Sequence, residues 1–75
     1  MKLYEAKPGF SGIITSIDGD TRFLSRITSI GLTEGVQIEI LQNETNQPVL
    51  LTGRDSMIAL NRKDCKRIEV KKNNE

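Results

Sequence analysis

Hydrophobic and polar residues alternate in several short stretches of this chain of 75 residues. The first stretch reads GIITSI, and its β-branched side chains favour a pleated, half-buried strand over residues 11–17. The alternation returns at residues 36–40, 48–53, 56–60 and 68–70. The pattern therefore predicts a mainly β protein of about five short strands.

One helical pattern interrupts the strands. After a polar break at residues 18–20, the carboxylate of Asp20 is placed to cap a helix that begins at the next residue. At 100° per residue, Phe23, Ile27 and Ile30 fall on one apolar stripe. The sequence thus predicts one helix between the first and second strands, with this stripe facing the sheet.

Two glycines bound the connection that follows the helix. If Ile30 is the C-cap, Gly31 takes the left-handed conformation that ends many helices, and Leu32 packs back onto Ile27. Gly35 then completes a tight polar turn and begins the second strand. We therefore predict that Gly31 and Gly35 are structural turn residues.

The remaining segments predict a closed architecture. Residues 42–47 favour a hairpin, and Asn61 is expected to cap one short helical turn that ends at Cys65. Five antiparallel strands in so short a chain predict a small, strongly bent barrel, because closing the sheet hides strand edges. The domain is predicted to span residues 1–70, with residues 71–75 as a frayed tail.

Composition narrows the classes of function. The single cysteine rules out an internal disulfide and favours a reducing cytoplasm, and no apolar run approaches the roughly 20 residues that cross a membrane. A net charge of +1, with one Tyr, two Phe and no Trp, argues against nucleic-acid binding. There is no histidine, no phosphate-binding glycine loop and no nucleophile with its base. We expect neither an enzyme nor a cofactor.

Three longer stretches carry a family resemblance. LYEAKPGFSGII, RITSIGLTEGVQIEI and PVLLTGRDSMIALNRKDCKRIEV together resemble the FeoA (ferrous iron transport protein A) family over nearly the whole chain. The most specific piece is residues 30–35, although many members have Met where Ile30 stands and Pro where Glu34 stands. A sharper departure is Asn61, where members commonly carry arginine, so any role of that arginine does not transfer to this chain.

The resemblance implies a fold and a function. The fold is an SH3-like barrel, and the function is that of a cytoplasmic accessory protein in ferrous iron transport. Such a protein docks on the cytosolic side of FeoB, a membrane iron transporter with a GTP-binding domain, and modulates it. Weak binding of a transition metal ion is a secondary expectation.

The helix and the turn after it are the expected docking surface. Arg22 and Arg26 lie one helical turn apart, a spacing suited to a carboxylate on a partner protein, and Leu24 flanks the apolar stripe. The predicted partner-binding residues are Arg22, Leu24, Arg26, Leu32, Thr33 and Glu34. There are simpler explanations that need no partner. Arg22 and Arg26 can belong to a solvated helix face, and Leu24 can be part of the core packing.

A metal site in this chain would have to be built from carboxylates. Asp18 and Asp20 could loosely grip a cation with Asp55 or Glu34, but turn and cap roles account for the first two. Cys65 is expected to be a small buried hydrophobe. No metal ligand is predicted.

The sequence is also compatible with two alternatives, one for the function and one for self-association. In the first, the chain is a small SH3-like module that binds nucleic acid or another protein and has no role in iron transport. In the second, weak self-association occurs through an edge of the barrel. The basic residues within 62–72 could also touch an anionic membrane leaflet, although a soluble tail explains them and no membrane insertion is expected.

Overall fold

The structure is a computed structural model that describes residues 1–73. Its strands are β1 (Ser11–Ile17), β2 (Gln37–Gln42), β3 (Val49–Gly53), β4 (Ser56–Leu60) and β5 (Ile68–Lys72). Its helices are α1 (Thr21–Ser29), α2 (Arg62–Cys65) and a 3-10 turn at Leu3–Glu5. The strands form one antiparallel sheet in the order β4-β3-β2-β1-β5. The predicted mainly β architecture, with a helix between the first two strands, is confirmed.

Two irregularities bend this sheet. The register of β1 against β5 shifts between Ile14 and Ser16, and that of β2 against β3 shifts between Ile40 and Gln42. Such bulges increase the local twist of a strand and let it turn. The two longest strands can therefore curve around one core instead of forming a flat layer.

The alternating residues of the strands build that core. Val36, Ile38 and Ile40 are all buried while Gln37 and Glu39 between them are exposed, as the period of two requires. The buried apolar residues form one cluster: Leu3, Ala6, Ile14, Phe23, Ile27, Leu32, Val36, Ile38, Ile40, Val49, Leu51, Ile58, Leu60, Cys65, Ile68 and Val70.

One residue of the predicted helix stripe lies outside the core. The side chain of Ile30 is 39% exposed, whereas Phe23 and Ile27 are buried. Ile30 is the C-cap of α1, with φ −88° and ψ 1°, so its side chain leaves the direction that the helical period gave it. The prediction of a core position for Ile30 is therefore wrong.

The last strand continues further than the sequence predicted. Lys71 pairs with Ile13 and Lys72 with Gly12, and the N–H of Asn73 donates to the carbonyl of Ser11 at 3.0 Å. The frayed tail therefore does not begin at residue 71. Residues 74 and 75 lie outside the described part of the chain.

The N-terminus covers the outer edge of β5. The carbonyl of Met1 accepts from the N–H of Val70 at 2.8 Å, and Lys2 forms a bridge with Glu69. The N-terminal amino group and the Lys2 ammonium lie 3.0 Å and 3.1 Å from the Glu69 carboxylate. Their hydrogen bonds hold the pKa of Glu69 below its usual value.

Asn43 ties the β2–β3 hairpin to the N-terminal segment. Its amide nitrogen donates to the carbonyls of Tyr4 at 2.9 Å and Ala6 at 2.7 Å. Its amide oxygen accepts from the guanidinium of Arg62, which also donates to the carbonyl of Glu44 at 3.1 Å. The two bonds from the amide nitrogen pair carbonyls of the N-terminal segment that have no partner in a strand ladder.

Within residues 1–73, no helix is long and apolar enough to span a membrane.

Cys65 is the last residue of α2, and its thiol is buried, with Sγ 3.8 Å from the carbonyl oxygen of Leu60. Burial raises its pKa from 9.0 to about 12. At about pH 8 we expect a disulfide reagent to label the folded chain at least a hundredfold more slowly than the unfolded chain, because only the thiolate reacts. Labelling followed by mass spectrometry, in buffer and in denaturant, checks this.

The same burial gives a dependence of stability on pH. The unfolded thiol ionises near 9.0 and the folded thiol near 12, so its contribution is complete below 9.0 and is lost as pH rises toward 12. Comparison with Cys65→Ala isolates the contribution of the thiol. Equal labelling rates in buffer and in denaturant would contradict the burial of Cys65.

Candidate partner-binding site

Helix α1 is fixed to the sheet by two buried side chains and by its N-cap. The Asp20 carboxylate accepts from the N–H of Phe23 at 2.9 Å, and Phe23 and Ile27 pack in the core. Leu24 flanks this buried stripe, and its side chain is 37% exposed. A partly exposed apolar side chain on a helix is available for contact with a partner.

Hydrogen bonds of the Schellman type end the helix. The N–H of Gly31 donates to the carbonyl of Thr28 at 2.9 Å, and the N–H of Leu32 donates to that of Ile27 at 3.1 Å. Gly31 has φ +99° and Gly35 has φ +90°, so both ends of the connection use the left-handed region that favours glycine.

Leu32 does not belong to the exposed surface. Its side chain is fully buried, because the Schellman bond turns it back toward Ile27. A β-carbon at Gly53 would lie 3.2 Å from a methyl group of Leu32, so this leucine also packs against the end of β3. In the folded chain, the side chain of Leu32 is not accessible to a partner. The prediction that Leu32 binds a partner is therefore corrected to a core role.

Thr33 and Glu34 stand next to the turn between β3 and β4. The guanidinium of Arg54 donates to the hydroxyl of Thr33 at 3.4 Å. Arg54 and Asp55 have φ of 50° and 67°, the positive values typical of a two-residue type I′ hairpin turn. Glu34 lines a shallow groove that also contains Met57, whose side chain is 69% exposed.

We name four residues of α1 and its following turn the docking edge: Leu24, Ile30 and Glu34, which are exposed, and Thr33, which is half-buried. Arg54 and Met57 adjoin this edge, and neither was predicted from the sequence as a partner-binding residue. The two-residue spacing between strands 3 and 4 is the sequence signal that could have indicated Arg54. The alternation of the buried residues Ile58 and Leu60 is the signal that could have indicated the exposure of Met57.

Arg22 and Arg26 belong to a different surface, where α1 meets α2. The groove there is lined by Asp20, Arg22, Phe23, Arg26, Asn61, Lys63, Asp64 and Arg67. We name its four cations, Arg22, Arg26, Lys63 and Arg67, the basic groove. Arg26 already has a partner, because its Nη1 lies 3.1 Å from Oδ2 of Asp64.

Asp64 is a buried carboxylate that was not predicted from the sequence. Its side chain oxygen accepts from the amide of Asn61 at 3.1 Å, and its N–H donates to the Asn61 side chain at 2.8 Å. With the bond to Arg26, it links the cap of α2 to the middle of α1. The three-residue spacing of Asn61 and Asp64 is the local signal that could have indicated it.

The four carboxylates considered as cation ligands are not assembled. In the part of the chain that the structure describes, no group of three His, Cys, Asp or Glu side chains is arranged to hold a metal ion. Asp20 instead caps α1, and Asp55 lies in the β3–β4 turn. Weak metal binding stays a prediction without a site.

The strand order and the helix between β1 and β2 define a small SH3-like domain. A family model for the FeoA domain matches residues 1–72, and the chain belongs to the FeoA family, which is associated with ferrous iron transport. No curated protein matches the chain in sequence.

Solved structures share this fold. An iron uptake regulatory protein (FeoA) is 28% identical, with a TM-score of 0.92 and 96% of each chain covered. FeoA from Stenotrophomonas maltophilia, solved in complex with zinc and described as an SH3 domain protein, is 20% identical, with a TM-score of 0.79 over 95% of this chain and 89% of its own. A manganese-dependent transcriptional repressor is 18% identical, with a TM-score of 0.88, and this chain spans 41% of it.

Proposed function

We propose that this chain is a cytoplasmic accessory protein of ferrous iron uptake that docks on the cytosolic side of the FeoB transporter and modulates it. The observation that carries the docking step is the exposure of Leu24 on α1, the helix that the polar turn of Thr33 and Glu34 follows. Membership of the FeoA family supports iron transport as the process.

The docking edge has the make-up of a small protein interface. Leu24 and Ile30 offer apolar contact area, while Thr33 and Glu34 supply polar groups at the rim. The edge is held rigidly, because α1 is anchored by Phe23 and Ile27 and its end is fixed by the Schellman bonds. Little ordering cost is then expected on binding. The chain acts by binding and needs no cofactor to do so.

An amide chemical-shift titration tests this proposal. The labelled chain is titrated with the soluble GTP-binding domain of its cognate FeoB transporter. We expect the shifts to cluster on residues 22–35 and on the adjoining Arg54. If no amide shifts at any concentration reached, this domain is not the partner, and docking on the cytosolic part of FeoB is contradicted.

Leu24→Asp is expected to weaken binding to that domain at least tenfold, which corresponds to about 1.4 kcal/mol, because it places a charge in the apolar part of the interface. Calorimetric titration measures the dissociation constant. The fold is expected to survive, because the Leu24 side chain is outside the core.

Leu41→Asp is the matched control. Leu41 is as exposed as Leu24, at 42%, but it lies in β2, outside the docking edge. We expect its dissociation constant to stay within about twofold of the original. Equal weakening by the two substitutions would show that binding does not use the docking edge.

A further inference from the structure

The basic groove between α1 and α2 carries more positive charge than its carboxylates neutralise. Its lining includes four cations and two carboxylates. Asp20 is committed to the cap of α1, and Asp64 to Arg26 and Asn61. Among residues 1–73, no carboxylate lies within 4.0 Å of the charged nitrogens of Arg22, Lys63 or Arg67.

Two of the guanidinium groups are held in place by one aromatic ring. The guanidinium carbon of Arg26 lies 5.3 Å from the centre of the Phe23 ring, and that of Arg67 lies 5.1 Å from it. Stacking on a ring orients a guanidinium but leaves the N–H groups at its rim free to donate.

The backbone of Arg67 is fixed as well. Its N–H donates to the carbonyl of Asp64 at 3.0 Å, and its carbonyl accepts from the N–H of Asp18 at 2.8 Å. Because the backbone and the ring contact both restrict Arg67, ordering it on binding costs little free energy. A preorganised arginine is suited to a bidentate bond with a planar oxyanion.

We propose that the basic groove binds an acidic segment of a partner protein, with its carboxylates facing Arg22, Lys63 and Arg67. This inference rests on the proposed function and deepens it. It gives the chemistry of the FeoB segment that faces the basic groove when FeoB is bound at the docking edge. The groove supplies orientation and fast association, whereas the docking edge supplies apolar contact.

Two features of the groove favour carboxylates over nucleic acid or a membrane surface. Phe23 is 6% exposed and its ring contacts both guanidiniums, so it is not available to stack on a base. The carboxylates of Asp20 and Asp64 in the lining repel a dense row of phosphates. A peptide can place its separate carboxylates away from Asp20 and Asp64.

The test compares two double variants that remove the same charge. Arg22→Gln with Arg67→Gln changes the basic groove, and Lys71→Gln with Lys72→Gln changes exposed side chains of β5 that are not part of it. Each is titrated with the GTP-binding domain of FeoB and with a synthetic glutamate-rich peptide, at about 50 and 200 mM salt. The Arg22→Gln single variant repeats the test without touching the ring contact.

We expect the groove variant to weaken both interactions about tenfold at the lower salt concentration and to flatten their salt dependence, while the β5 variant changes them less than twofold. In the labelled chain, the peptide should shift the side-chain N–H signals of Arg22 and Arg67. Equal weakening by the two double variants would overturn the proposal, as would tighter binding to anionic vesicles or single-stranded DNA than to the peptide.

Failure of the groove and failure of the proposed function give different results. If the FeoB domain binds the original chain and the groove variant equally well, docking stands and the acidic partner segment is wrong. If the peptide binds at the groove but the FeoB domain does not bind at all, the groove stands and FeoB docking is wrong.

Discussion

Replacing Leu32 with alanine is expected to lower the free energy of unfolding by about 3 kcal/mol. The side chain is fully buried and fills the space between the end of α1 and the end of β3, so its removal loses apolar burial and leaves a cavity. The Schellman bond of its N–H to Ile27 fixes the backbone there and limits collapse around the cavity. Urea denaturation followed by circular dichroism measures the change.

Leu41→Ala is the control for this substitution. It deletes the same atoms from a side chain that is 42% exposed, and we expect a loss of about 0.5 kcal/mol. The folded fraction of Leu32→Ala should bind the FeoB domain with an unchanged dissociation constant, since Leu32 has no exposed surface. A small effect on stability combined with weaker binding would restore Leu32 to the docking surface.

The parts of the fold that follow from local chemistry were predictable. The alternation of Val36, Ile38 and Ile40 sets one face of β2, and the cap at Asp20 sets the start of α1, because each depends only on neighbours in sequence. Gly31 belongs to the same class, since a left-handed residue after a helix favours glycine in any tertiary context. The fold class followed from the sum of such signals.

The parts that depend on distant segments were not predictable. Helical periodicity places Ile30 on the same stripe as Phe23, but the C-cap conformation turns it outward. Lys71 and Lys72 carry no apolar signal, yet they pair with β1 through the backbone alone. In the sequence, Asn43 does not differ from the other polar residues of its loop. Its role comes from the carbonyls of Tyr4 and Ala6, which are distant in sequence and accept from its amide.

The candidate site shows the same division. Arg22 and Arg26 are equivalent on a helical wheel, one turn apart and both beside the apolar stripe. The structure separates them, because the buried carboxylate of Asp64 arrives from α2 and pairs with Arg26. What remains open for a partner is therefore Arg22 together with Lys63 and Arg67, a set drawn from two helices and the segment before β5.

Gly12→Ala is expected to lower the free energy of unfolding by about 3 kcal/mol, for a reason opposite to that of Leu32→Ala. A β-carbon at Gly12 would overlap the carbonyl oxygen of Lys71 and lie 2.7 Å from a ring carbon of Phe10. The ring can swing away, but the carbonyl belongs to the β1–β5 ladder, where Gly12 pairs with Lys72. The overlap is therefore relieved only if β1 and β5 separate. Urea denaturation should show the loss of stability, and hydrogen exchange should show faster exchange of the β5 amides.

Gly35→Ala separates crowding from backbone strain. Gly35 has φ +90°, and a β-carbon there would have no atom within 4 Å, so only the left-handed conformation opposes the substitution, at about 1 kcal/mol. Exchange of the β5 amides should not change in this variant. If Gly12→Ala costs no more than Gly35→Ala, the close approach of β1 and β5 at Gly12 does not hold in solution. The larger cost at Gly12 would instead show that the end of β5 is packed against β1 as far as Lys72.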